Sequence, residues 1–348
     1  MKGNDALLSI KNLSISIQTR DSSSLLSSVE DVSFDLYSGE ILGLVGESGS
    51  GKSLTALSII NLLGENKKVT GGSILFKGTE DLNKKEDLLS LSENQWQTIR
   101  GNKISMIFQE PFTALNPLIR IGDQIAETLF LHEEKDKVKN RNLSLQLMNK
   151  LKLKDPEKLI KAYPHQLSGG MCQRVMIALA AICRPRLLIA DEPTTALDKK
   201  TEEQILILLK EINLSLGVSI LFISHDLGVI RNLCNRVLVM YSGRILEGGN
   251  TEEVFQNPAH EYTKGLLDSI PSGTMKGKDL AAIPGKVPSL EEGRPDGCPF
   301  HPRCQKASSL CKGEFSRPRR VSATHYTHCV LHGNAENVVA VNAKEGIE

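Results

Sequence analysis

The sequence predicts an α/β fold: a largely parallel sheet with helices on both faces. To it are attached a small antiparallel β lobe, an inserted helical lobe and a short cysteine-rich C-terminal extension. Three observations point there. Short, wholly apolar runs such as Ile41-Leu42-Gly43-Leu44-Val45, Leu187-Leu188-Ile189-Ala190 and Ser219-Ile220-Leu221-Phe222-Ile223 alternate with longer helical patterns, as strands buried on both faces of a parallel sheet do. Leu7 to Ile17 and Val32 to Leu36 instead alternate apolar with polar residues, the pattern of antiparallel strands with one wet face. Between Phe112 and Arg184 the reading is helical with no convincing strand, and past Pro271 glycine, proline, lysine and cysteine take over. The expected organisation is a main α/β domain over residues 7–271, with the helical lobe at about 112–184, and an extension over 272–348.

Composition bounds the function. In 348 residues, 40% are hydrophobic, enough for a packed core, and 42 Lys plus Arg balance 41 Asp plus Glu. That balance supplies no strong field toward nucleic acid, so no nucleic-acid partner is expected. No apolar run approaches the length of a membrane span, and the start lacks the apolar stretch of a secretory signal. The chain is read as cytosolic, held at any membrane by another subunit. No internal repeat is seen, so a single copy of the main domain is expected.

The elements carrying chemistry follow in chain order. Gly46-Glu47-Ser48-Gly49-Ser50-Gly51-Lys52-Ser53 fits the phosphate-loop pattern, after a strand and opening an apolar helix from Ser53 to Leu63. Its glycines let backbone N–H groups turn inward on phosphates. Lys52 brings a mobile charge to the outer phosphates and Ser53 a hydroxyl for Mg²⁺. Asp191-Glu192 closes the strand Leu187–Ala190. Asp191 is placed to hold Mg²⁺ and Glu192 to polarise an attacking water, against the blander reading that Asp191 caps the next helix. Leu167-Ser168-Gly169-Gly170 starts a further apolar helix running to Ile182 and makes a second anion site, for which an ordinary serine N-cap is the plain alternative.

With Met171-Cys172-Gln173-Arg174 after it, that segment resembles the signature of ABC ATPases. The resemblance extends to Gln109 as the glutamine that senses Mg²⁺ and the γ-phosphate, to Ala196-Leu197-Asp198 as the D-loop, and to His225 as the switch histidine. The motifs stand in the order the family requires. The branch that fits best is the oligopeptide/dipeptide/nickel importer ATPases. Its matching stretches are Phe108-Gln109-Glu110-Pro111-Phe112-Thr113-Ala114-Leu115-Asn116-Pro117, Tyr163-Pro164-His165-Gln166-Leu167 and Asn257-Pro258-Ala259-His260-Glu261-Tyr262-Thr263. The resemblance implies ATP and Mg²⁺ as ligands, and ATP sandwiched between one subunit's phosphate loop and another's signature. It also implies a paralogous ATPase as the other half of a heterodimer, two membrane permease subunits, an extracytoplasmic solute-binding protein, and a place at the cytoplasmic face of the membrane. Di- and oligopeptides lead as the solute, with nickel or a metal chelate as the alternative. A soluble ABC ATPase of DNA repair or translation is the more distant reading. The sequence departs from the family at Cys172, and Leu13–Ile17 offers no aromatic for adenine, leaving Ile17 an apolar contact only.

The extension carries Cys298, Cys304, Cys311 and Cys329 in a segment too poor in apolar residues to hold itself together by burial. Four thiolates suit an iron–sulfur cluster or structural zinc. The first two gaps are wider than zinc-ribbon knuckles, and the resembling branch carries a [4Fe–4S] cluster in such an extension. His301, His328 and His332 read as exposed loop histidines, and Arg317-Pro318-Arg319-Arg320 as a solvated basic patch.

Overall fold

The computed structural model describes residues 6–19, 25–78, 84–132, 135–195, 197–270 and 282–332. The expected domain boundary at Pro271 lies outside them.

The β lobe comes first. Strand β1 (Leu8–Gln18) pairs antiparallel with β2 (Leu25–Leu36) on one side. After β3 (Ile41–Val45) and helix α1 (Lys52–Ile59), the chain returns as β4 (Lys67–Lys77) on the other side of β1 and as β5 (Lys85–Asp87) at the edge. The predicted antiparallel character holds, but β4 and β5 were not foreseen, because alternation in Lys67–Lys77 is diluted by Gly71 and Gly72.

Helix α2 (Glu93–Ile99) leads to β6 (Ile104–Ile107). The helical lobe then runs through α3 (Pro111–Ala114), α4 (Ile121–His132), α5 (Lys137–Lys150), α6 (Pro156–Leu159) and α7 (Gly169–Ala181). It contains no named strand among its described residues, as expected. The core resumes with β7 (Leu187–Asp191), α8 (Lys199–Leu216), β8 (Ser219–Ser224), α9 (Leu227–Leu233), β9 (Arg236–Tyr241), β10 (Arg244–Asn250), α10 (Thr251–Gln256) and α11 (Glu261–Asp268).

In the main sheet, β9, β3, β8, β7 and β6 are mutually parallel in that order, and β10 joins β9 antiparallel. Side-chain alternation sends Leu42, Leu44, Leu187 and Ile189 toward α1 and the β lobe. The intervening Ile41, Val45, Leu188 and Ala190 go to the helical side. Both faces are covered, which is why these strands read as unbroken apolar runs.

The extension is not a free appendage. Its short strands β11 (Arg319–Arg320) and β12 (Tyr326–Thr327) extend the main sheet, with β12 pairing antiparallel to β10 through Glu247 and Gly248. Phe300 is buried among Tyr241, Tyr262 and His260, with ring centroids 5.3–5.9 Å away. The carboxylate of Glu247, itself fully buried, accepts from the Ala259 and His260 amides at 2.6 and 2.9 Å and lies 2.7 Å from His325 Nε2. Thus the extension does not need to support its own core, because it uses that of the cassette.

Candidate nucleotide site

The carboxyl ends of β3, β6, β7 and β8 deliver the chemistry to one rim. The loop from Gly46 to Ser53 links β3 to α1. Gly46 is required by close approach, since a Cβ there would meet the Met240 carbonyl oxygen at 2.0 Å. Gly51 caps α1 with φ 100°, a left-handed conformation that favours glycine. The loop, with Lys52 and Ser53, lines an open cleft of about 940 Å³ together with Ile17, Gln109, Glu192, Thr195 and His225. Ile17 therefore lies where the sequence reading put it, as an apolar wall with no aromatic partner on its strand.

Lys52 is folded back on its own loop. Its Nζ donates to the Gly46 and Glu47 carbonyls at 2.8 and 2.9 Å and to Ser50 Oγ at 3.3 Å. Burial pulls the ammonium below its ordinary pKa, while Glu192, Asp191 and Glu47 pull the other way. Ser53 Oγ donates to Asp191 Oδ1 at 3.1 Å, and burial raises the Asp191 carboxyl pKa against that hydrogen bond. This pairing fits the oxygen-donor chemistry of a hard divalent cation. Asp191 is the last residue of its strand and not a helix cap; Asp198 has that job for α8, accepting from the Thr201 amide and hydroxyl at 3.0 and 2.6 Å.

Glu192 is the focus of the rim. It adopts φ 47°, unusual for a residue with a side chain, and its amide donates to the Ile223 carbonyl on the neighbouring strand at 3.0 Å. Its Oε2 accepts from Thr195 Oγ1 at 2.9 Å and from Gln109 Nε2 at 3.4 Å, and lies 3.1 Å from His225 Nδ1. Gln109, Glu192 and His225 are thus brought together as expected from sequence. Thr195 was missed; its only sequence signal is its position three residues after Glu192, within reach around the turn.

Ser168, Gly169 and Gly170 are not brought to this cleft. Ser168 caps α7, its hydroxyl accepting from the Met171 amide at 3.4 Å. Ser168 and Gly170 open instead onto a separate groove lined by Lys152, Arg174, Thr201 and Glu211. Asp198 belongs to neither lining, and Ala196 of its motif lies outside the described residues. Cys172 is fully buried, an ordinary core thiol.

The four cysteines of the extension lie near enough for their charges to bear on one another. Burial, followed by Cys329, Cys311 and Cys304, pushes the Cys298 thiol up to about 12, and burial also raises Cys304 and Cys329. Among the described residues, however, no group of three or more His, Cys, Asp or Glu side chains is arranged to hold a metal ion. The donor chemistry of the expected cluster is present and its ligating geometry is not. The reading of exposed histidines is corrected. His328 stacks on Phe315 with centroids 4.8 Å apart and bonds the Ser316 carbonyl through Nδ1 at 2.6 Å, and His301 and His332 are half-buried. Arg319 is likewise half-buried in β11, whereas Arg317 and Arg320 are exposed.

A glycine-rich phosphate loop beneath a carboxylate-bearing strand end, with a capped glycine signature facing elsewhere, defines a nucleotide-binding cassette. The dimeric structures of the ATP-binding cassette MJ0796, one in a post-hydrolysis state with ADP and Pi, superpose with TM-score 0.60 at 29% and 28% identity, covering 70% of this chain and 98% of theirs. Residues 29–195 match the ABC transporter family, and residues 246–311 match the oligopeptide/dipeptide transporter C-terminal region. The oligopeptide transport ATP-binding protein OppD of Escherichia coli (strain K12) is 46% identical over 307 residues, 88% of each chain. The dipeptide transport ATP-binding protein DppD of Bacillus subtilis (strain 168) is 44% identical over 337 residues, 96% of this chain and 98% of that one. The chain belongs to the ABC transporter family, among the ATP-binding proteins of oligopeptide and dipeptide transport. No helix of the described residues is long and apolar enough to cross a membrane.

Proposed function

We propose that this chain binds and hydrolyses ATP at the cleft under β3 and β7 to power uptake of di- or oligopeptides, working at the cytoplasmic face of permease subunits. The observation that carries the chemistry is the convergence of Gln109, Thr195 and His225 on one oxygen of Glu192, beside the phosphate loop.

The roles follow from these contacts. Lys52 exchanges its loop carbonyls for phosphate oxygens, at little desolvation cost because its ammonium is already buried. Ser53, Asp191 and Gln109 would hold Mg²⁺, which supplies charge neutralisation of the phosphates. Glu192 orients and deprotonates the attacking water, with Thr195 fixing its rotamer. His225, on the exposed side of Glu192, contacts the γ-phosphate and reports its presence.

The signature of this chain opens away from its own phosphate loop, which supports a two-chain sandwich in which Ser168, Gly169, Gly170 and Asp198 act on a partner's nucleotide. We take that partner to be a paralogous ATPase, with two permeases and an extracytoplasmic solute-binding protein completing the importer. The four cysteines we assign as ligands of a [4Fe–4S] cluster or zinc. The support is the donor set, four thiols between residues 298 and 329, and no step of hydrolysis passes through them.

Glu192→Gln tests the reading. In the assembled transporter it should retain ATP binding while turnover falls about 10²- to 10⁴-fold, the range for losing a general base. Normal turnover in that variant would remove Glu192 from the chemistry.

A further inference from the structure

The phosphate loop carries a carboxylate, Glu47, at its second position, and the nearest fixed cation to it comes from the far end of the chain. Arg303, between Cys298 and Cys304, donates through Nη1 to Glu47 Oε2 at 2.7 Å and through Nη2 to Oε1 at 3.3 Å, a two-pronged guanidinium–carboxylate pair. The side chain of Arg303 is only 7% exposed. It is locked in place by the Pro284 carbonyl on Nε at 2.8 Å and by the Tyr241 hydroxyl at 3.3 Å. Tyr262 completes the hold by accepting from the Glu47 amide at 2.9 Å, while the Glu47 carbonyl accepts from Lys52. Every polar group of Glu47 is therefore committed, two of them to residues beyond β9.

We propose that Arg303 is a positioning residue for nucleotide binding, neutralising the Glu47 carboxylate and fixing the start of the phosphate loop, so that the cysteine-bearing extension is part of the nucleotide site. The inference rests on the assignment of the cleft to ATP. Glu47 lines that cleft and bears electrostatically on Lys52. Left without Arg303, its charge faces a polyphosphate of the same sign through a partly solvated gap. Arg303 itself does not line the cleft, so it acts through Glu47 and not on the nucleotide. Its placement depends on the Cys298–Cys304 segment, which makes nucleotide affinity sensitive to the state of that segment.

The test uses the full-length chain in its transporter complex. The Kd for Mg·ATP, with KM and kcat for hydrolysis, is compared for wild type, R303M, R303K, E47Q and E47Q/R303M, with K52A as control. R303M should weaken ATP binding and raise KM by about 5- to 10-fold, the scale of one uncompensated charge near a partly screened site, while kcat stays within about twofold. The defect should shrink at high salt, R303K should recover part of it, and E47Q/R303M should bind like E47Q alone. Loss of binding in K52A with wild-type affinity in R303M overturns the role of Arg303, as does a double variant as weak as R303M. Undiminished binding in K52A overturns the nucleotide reading itself.

Discussion

Replacing Glu247 by alanine removes the acceptor on which the seam between cassette and extension is built. Glu247 stands on β10, fully buried, and accepts from the Ala259 amide at 2.6 Å and the His260 amide at 2.9 Å, with the equally buried His325 Nε2 at 2.7 Å. The substitution leaves three donors in the interior with no acceptor in that position. Each orphaned buried donor costs about 1–3 kcal/mol, so a total of roughly 3–6 kcal/mol is expected after partial relaxation. That is a large share of a domain stability of about 5–15 kcal/mol, and it falls on one seam. The expected consequence is local: β11 and β12 detach from β10 while the parallel strands stay paired. Amide hydrogen exchange followed peptide by peptide measures this directly. Amides in residues 319–332 should exchange about 10²-fold faster or more, while β3 and β8 keep their protection. Because Arg303 is carried by the same segment, ATP affinity should fall with it. If exchange in the extension and the melting temperature both match wild type, the buried carboxylate is not what holds the seam.

Acid should open the same seam. His260 and His328 are both held down to about 4, primarily by burial. Their folded pKa lies below the unfolded value near 6.5, so the unfolded chain takes up protons first as pH falls. Stability is full above about pH 6.5 and is lost progressively down to about pH 4, on the order of 3 kcal/mol for a fully buried imidazole such as His260. Denaturant titrations across that range measure it, and a flat profile would contradict the burial argument; H260Q should flatten the curve. An anaerobic preparation should contain iron and sulfide in cluster stoichiometry and absorb in the visible, whereas zinc alone would select the other thiolate chemistry and no metal would dismiss both.

The nucleotide half of the site was legible because its signals are local. A phosphate loop must follow a strand and open a helix, and Gly46 to Ser53 does so within eight residues. Glu192 and His225 were placed on one rim by a rule about strand ends that needs no distances. Thr195 was invisible because a threonine near a carboxylate carries no pattern; only the left-handed turn at Glu192 brings its hydroxyl within 2.9 Å. The histidines of the extension were misread for the reverse reason. His328 is half-buried by stacking on Phe315, 13 residues earlier, and by donating its amide to the Leu246 carbonyl of β10, 82 residues earlier, and no local pattern records either contact.

Taken by itself, the sequence determined what contiguous segments can encode: the buried parallel strands, the phosphate cradle, the capped signature helix and the order of the motifs. Only the tertiary structure decided that the signature faces away from this chain's own cleft, and that the extension joins the main sheet and reaches back to the phosphate loop. The bonds that decide it, Glu47 with Arg303 and Glu247 with His325, join residues 256 and 78 positions apart. Their partners are selected by the geometry of a finished core, which periodicity along the chain does not record.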